Sequence, residues 1–255
     1  MIAAWSLEAL VPWAIGVGAL LIAGSTSVHG QGKEPISAGM EDAILAGNIQ
    51  GVRALIDAGA EVEDPALLSF AVVKGGVEVV KLLVDAGAKI NAAMPVPPEQ
   101  EDGLRKVFGP STEVVGGTAL SVAALMGRLE AAEFLLDRGA DPNVVTVSGT
   151  PVGMAATRGY IDVLKVLIEG GGDASGRPLA GTAAVMFSPL LGAAKAGHVG
   201  AVELLLRSGG YPCPEGSSFT MGDIVFPATL KGHLAVAGGQ DVSALVDRAR
   251  EACGQ

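Results

Sequence analysis

The chain has 255 residues, 49% hydrophobic, 4% aromatic and 17% charged, a length for one large domain or a repeat array and a composition for helices joined by glycine turns rather than a β-sandwich. Seventeen Lys and Arg against 27 Asp and Glu leave a net charge of −10, which argues against binding nucleic acid through its phosphates. Cys213 and Cys253 have no CxxC spacing, so neither a disulfide framework nor a zinc site is expected.

The first element in chain order is the apolar run LEALVPWAIGVGALLIAG, Leu7 to Gly24. Ala9 to Gly24 carries no charged or strongly polar side chain, and as a helix it is about 24 Å long against a hydrocarbon thickness of about 30 Å. Extension back to Ala3 adds Ala4, Trp5 and Leu7 at the cost of Ser6 and Glu8, and the helix then just spans. Trp5 suits the interface, and Ala14/Gly18 and Ala19/Ala23 are small-xxx-small pairs that admit a neighbouring helix. Gly16, Ala19 and Ala23, with Trp5, are the expected intramembrane packing residues. A cleaved secretory signal is an alternative, but it wants positive charge near its start and the first Lys or Arg is Lys33. A buried capping helix is another, but it wants one polar face. An uncleaved anchor over residues 1–26 and a linker over 27–37 are the expectation, with too little flanking basic charge to set an orientation.

The same run, followed by His29 and GQGKEP, resembles the N-terminus of the MWFE-type small membrane subunit of mitochondrial respiratory complex I. Trp5, Glu8, Pro12, Gly16, Gly24 and His29 fall where that family has its aromatic and acidic start, its proline, its glycine-containing transmembrane helix and the glycine and histidine beyond. The likeness ends after Lys33, where the family's charged tail is missing. It implies a single-pass accessory subunit in the mitochondrial inner membrane, in contact with protein subunits and lipid. A thylakoid or other organellar complex is the alternative host.

Self-comparison of the remainder aligns five stretches without gaps: AGNIQGVRALIDAGAEVED from Ala46, KGGVEVVKLLVDAGAKINA from Lys74, MGRLEAAEFLLDRGADPNV from Met126, RGYIDVLKVLIEGGGDASG from Arg158 and AGHVGAVELLLRSGGYPCP from Ala196. Two glycines stand twelve apart in each: Gly47/Gly59, Gly75/Gly87, Gly127/Gly139, Gly159/Gly171 and Gly197/Gly209. Apolar residues of helical period lie between them. The later glycine is expected to end a helix in the left-handed conformation. A shorter helix is expected before each first glycine, with an alanine four residues upstream: Ala43, Ala71, Ala123, Ala155, Ala193 and again Ala228. A small residue at one fixed place predicts close helix approach. Thr150-Pro151 and Ser188-Pro189 are start signals for two of these helices.

GTALSVAALMGRLEAAEFLLDRGADPN, Gly117 to Asn143, is similar to the ankyrin-repeat consensus along its length, and GTPVGMAATRGYIDVLKVLIEGG and SPLLGAAKAGHVGAVELLLRSGG follow it closely. The resemblance covers about residues 38 to 235. It implies stacked helix pairs with projecting hairpin-like fingers, each pair burying its apolar face on its neighbours.

The first glycines are 28, 52, 32 and 38 residues apart. The 52 marks an insertion at 92–115, whose PVPP forbids a continuous helix and whose second half holds Leu104, Arg105, Lys106 and Phe108. The 38 marks a smaller extension from Ala174. Both fall on the finger side, where ankyrin proteins commonly touch partners, and Leu104, Arg105, Lys106 and Phe108 are the expected partner contacts. DVSALVDRAREACGQ reads as a polar-faced C-terminal capping helix.

No catalytic or phosphate-binding motif appears. His198 and His233 follow turn glycines, where the ankyrin resemblance implies a structural bridge between turns. Asp57, Asp85 and Asp137 recur at one repeat position, as helix-end residues do. The expected fold is an all-α ankyrin-repeat solenoid of five recognisable repeats plus a degenerate C-terminal cap, preceded by a single transmembrane helix. Its parts are an anchor at 1–26, a linker at 27–37, repeats at 38–237 and a cap at 238–255. The expected function is non-catalytic protein binding and assembly within a membrane complex, with no cofactor, metal, nucleic acid or small-molecule substrate. An exported or soluble ankyrin-repeat protein with a cleaved N-terminus is the rival.

Overall fold

The computed structural model describes residues 35–96, 115–175, 189–210, 218–221 and 224–227. Among them, five helix pairs follow one another. Repeat one holds α1 (Pro35–Leu45) and α2 (Ile49–Asp57). Repeat two holds α3 (Pro65–Phe70), continued by a π-helical turn (Ala71–Gly75), and α4 (Gly76–Asp85). Repeats three to five hold α5 (Ala119–Met126) with α6 (Leu129–Asp137), α7 (Pro151–Arg158) with α8 (Ile161–Glu169), and α9 (Pro189–Lys195) with α10 (Val199–Arg207). First helices pack on first helices and second on second, which makes two layers. The first helix begins at Pro35, inside the segment expected to be a linker.

Side chains explain the starts. Thr118 accepts from the Ser121 N–H while the Ser121 hydroxyl accepts from the Thr118 N–H, a reciprocal box that satisfies donors no helix can satisfy itself. Thr150 caps α7 ahead of Pro151, as the sequence predicts, and Asp64 ahead of Pro65 and Asn48 ahead of Ile49 do the same for α3 and α2.

One hydrophobic core runs the length of the stack, from Met40 to Leu205. Four residues before each later glycine of repeats two to five lies a leucine with no exposed surface: Leu83, Leu135, Leu167 and Leu205. The alanines Ala71, Ala123, Ala155 and Ala193 are likewise fully buried, as close approach of the first helices requires. Ala43 is only half-buried.

The later glycines are left-handed as expected, with φ from +84° at Gly59 to +102° at Gly87. Among the first glycines, Gly47, Gly127, Gly159 and Gly197 conform, but the alignment misplaces the turn of repeat two. There the left-handed residue is Gly76, at φ +72°, and Gly75 is helical. An extra residue is absorbed as the π-turn, which pushes the turn one position on.

The described residues are mostly helical, as expected, and include two hairpins. Strand β1 (Ala93–Met94) pairs antiparallel with β2 (Gly117–Thr118), as a finger should. Strand β3 (Ser218–Met221) pairs with β4 (Ile224–Pro227) where helical repeat had been expected. SFTM and IVFP around Gly222-Asp223 carried that signal in the sequence. No helix among the described residues is long and apolar enough to cross a membrane. The expected anchor at 1–26 and cap at 238–255 lie outside the described residues.

Candidate functional site

The finger side is built around the insertion. Its flanks meet in the β1–β2 pair, Ala93 opposite Thr118 and Met94 opposite Gly117. The Gly116 N–H donates to the Met94 carbonyl at 2.9 Å. A Cβ on Gly116 would lie 2.6 Å from that oxygen and 2.9 Å from the Pro95 oxygen, so only glycine fits. Val115 joins the stem to the next finger: its N–H donates to the Val145 carbonyl at 3.2 Å, and the Val147 N–H donates back at 2.9 Å. That finger is closed by Thr146, fully buried, whose hydroxyl donates to the Gly149 carbonyl at 2.8 Å. Backbone bonds thus tie together the described residues on either side of 97–114, Met94 before it and Gly116 after it, and bind Val115 to the next finger.

Neighbouring fingers are tied by an amide ladder. The Asn91 side chain donates to the Gly139 carbonyl at 3.1 Å and accepts from the Asp141 N–H at 2.9 Å. One repeat on, Asn143 donates to the Gly171 carbonyl at 3.0 Å and accepts from the Asp173 N–H at 2.8 Å. The equivalent residue of repeat one is Glu63, which instead takes Lys89 of repeat two in an exposed ion pair at 2.7 Å. Sequence reasoning missed this ladder, although Asn91 and Asn143 both stand four residues after the later glycine.

On the opposite edge, where first helices turn into second helices, repeats three, four and five each reach back to the one before. The Arg128 guanidinium donates to the Val73 carbonyl at 3.0 Å. The Tyr160 ring covers Gly127, where a Cβ would lie 2.9 Å from the ring, and the His198 ring covers Gly159, with its Nδ1 2.6 Å from such a Cβ. His198 therefore bridges turns by packing. At the C-terminal ends of the second helices Arg138 pairs with Asp85 of the preceding repeat at 2.9 Å while its guanidinium lies 4.6 Å over the Phe134 ring.

Leu104, Arg105, Lys106 and Phe108 lie outside the described residues, as do Trp5, Gly16, Ala19 and Ala23 and also His29 and His233. Among the described residues, no cluster of His, Cys, Asp or Glu is arranged to hold a metal ion.

Residues 40–146 match the family model described as ankyrin repeats, three copies. These are ankyrin repeats. The matched span is less than half of the chain, and the helix pairs beyond it keep the construction of the ankyrin repeats before them: left-handed turn glycines, a buried leucine and a buried alanine at the same places. The repeats indicate a protein–protein interaction role. No curated protein matches the chain, and neither comparison supports the likeness of residues 1–33 to the complex I subunit.

Proposed function

We propose that this chain is a scaffold that holds a protein partner on its finger side, with the insertion between repeats two and three as the principal contact. The observation that carries the reading is the rooting of that insertion: Gly116 on Met94 and Val115 between Val145 and Val147 give it a fixed base on two fingers. A contact presented from a fixed base loses less conformational freedom on binding than one on a loose loop. Leu104, Arg105, Lys106 and Phe108 offer an apolar and cationic contact on an otherwise acidic chain, the aromatic and arginine side chains being the types that dominate interface energetics.

A photo-crosslinking residue at position 106 or 108, compared in cells with one at Lys165 on the exposed side of α8, tests this. One partner band is expected at 106 and 108 and none at 165. A band at 165 alone, or equal bands at all three, overturns it.

The second part of the proposal is a membrane tether, favoured by the uncharged run from Ala9 to Gly24. The chain should stay with the membrane through alkaline carbonate extraction. Release, or a mature N-terminus near Ser27, would sink the tether and leave the finger-side reading standing.

A further inference from the structure

Of the five described turns between first and second helices, one differs in conformation but not in the spacing of what it joins. In repeats one, three, four and five the first glycine is left-handed, φ +64° to +76°. The residue after it caps the second helix at φ −80° to −87° and ψ +78° to +83°, values open to any residue. In repeat two Gly75 is helical, and Gly76 stands at φ +72° and ψ 172°, a combination essentially restricted to glycine. The residue that the first helix gains, the turn gives up. The buried alanine and the buried leucine flanking the turn are twelve apart in repeat two, Ala71 to Leu83, as they are in repeat three, Ala123 to Leu135. In repeats three to five the capping N–H of Arg128, Tyr160 and His198 donates to the alanine carbonyl five residues back, at 2.9–3.0 Å. Five residues is also the span of a π-turn bond. Both conformations of Gly75-Gly76 therefore fit between the same packed residues.

The next repeat supplies a latch. Tyr160 and His198 lay their rings on the left-handed glycine of the repeat before them, Gly127 and Gly159. Arg128 holds the corresponding place over repeat two, but its guanidinium donates to the Val73 carbonyl at 3.0 Å. Val73 belongs to the π-turn, and the last carbonyls of a helix have no partner within it. We infer that the turn of repeat two is a two-state element. One state is the π form, latched by Arg128; the other is the standard form of the remaining repeats, with Gly75 left-handed. Adjacent glycines make both backbones accessible. The latch spans the junction between repeats two and three, which also carries the insertion. The state of the turn thus sets how repeat three is held on repeat two at the edge opposite the fingers.

Amide relaxation-dispersion NMR of the full chain in mild detergent tests this, because it reads exchange in the microsecond-to-millisecond range. Exchange is expected at Lys74 to Val77 and not at the turns of repeats three and four, with a minor state of up to roughly 10%. Gly75→Ala is strained only in the standard form and should cut that population about tenfold, quenching the exchange. Gly76→Ala is strained only in the π form and should raise it at least about tenfold. Arg128→Tyr removes the donor to Val73, offers a ring to Gly75 in its place, and should raise it as well. Circular dichroism checks that each variant folds. A single state in the unsubstituted chain that neither Gly76→Ala nor Arg128→Tyr moves overturns the inference. Exchange that persists unchanged in Gly75→Ala belongs to another motion and overturns it too. Exchange that answers to both glycines but not to Arg128→Tyr overturns the assignment of Arg128 as the latch.

Discussion

From N-cap to left-handed glycine, repeat three takes nine steps, Thr118 to Gly127, and repeat two takes twelve, Asp64 to Gly76. The buried faces of the two repeats are nevertheless alike: Ala71 and Ala123 are fully buried, and so are Leu83 and Leu135. Repeat two adds its extra residues at the ends of its first helix, as an earlier cap and a π-turn, and leaves the packing face in register. The stack selects for the face because each repeat buries it on two neighbours, whereas a helix end on the surface has room for an additional residue. The two repeats differ most in what their helix ends cost.

The largest test of the comparison should show no difference between them. Leu83→Ala and Leu135→Ala each remove a fully buried side chain from the same core and should each cost about 2–5 kcal/mol. Chemical denaturation should give losses that agree within about 1 kcal/mol. A far smaller loss at Leu83 would mean that the π-turn loosens the core beneath it.

Next in size are the turn glycines. Gly127→Ala meets both a left-handed backbone, φ +67°, and the Tyr160 ring at 2.9 Å, and should cost about 2 kcal/mol or more. Gly76→Ala meets only the backbone strain, with open space around it, and should cost about 1–2 kcal/mol. Gly75→Ala should have the opposite sign, gaining up to about 1 kcal/mol, because the residue is helical and alanine loses less chain entropy there. Thermal melting of the three variants decides between the observed turn and the register read from alignment, which makes Gly75→Ala destabilising.

That last pair shows what the sequence made legible. Apolar spacing and paired glycines located all five helix pairs, because burial on two sides enforces both. Thr150-Pro151 announced a cap for the same reason that Asp64-Pro65 does. Glycine type alone could not say which of Gly75 and Gly76 turns the chain, since either residue tolerates positive φ and the choice rests on how the preceding helix ends. The finger-side candidates were legible only as a break in the spacing. Their anchoring depends on Gly116 and Val115 bonding to residues distant in the chain, and single-sequence periodicity carries no trace of such partners. The amide ladder was equally hidden: Asn91 and Asn143 sit in corresponding positions, but their partners are backbone groups one repeat away.

The serines separate the repeats by sign. Ser121 is buried and bonded on both sides of its hydroxyl, accepting from the Thr118 N–H at 2.9 Å and donating to the Thr118 carbonyl at 2.8 Å. Ser69 holds the same place in repeat two, six residues before Gly75, and is fully buried, but its hydroxyl has no hydrogen-bond partner. The longer helix explains this: the residue three before Ser69 is Ala66, already inside α3, where repeat three has its capping threonine. Ser121→Ala should therefore cost about 1 kcal/mol, and Ser69→Ala should gain about 1 kcal/mol by removing a stranded polar group. Equal losses at the two sites in denaturant melts would show that Ser69 has found a partner.

The smallest effect lies where the finger ladder changes chemistry. Asn143 ties repeat three to repeat four with two hydrogen bonds to backbone, which are neutral and short-range, so Asn143→Ala should cost about 1 kcal/mol at any ionic strength. Glu63 ties repeat one to repeat two through Lys89, with both side chains about two-thirds exposed. An exposed pair of this kind contributes about 0–1 kcal/mol and is screened by salt, so Glu63→Gln should cost under about 0.5 kcal/mol in dilute buffer and nothing measurable near 1 M salt. Stability of both variants against sodium chloride concentration makes the comparison. A salt-independent loss at Glu63 would mean that the carboxylate acts there as a hydrogen-bond acceptor in its own right, and the ladder would extend to the first repeat with the same chemistry it has at Asn91 and Asn143.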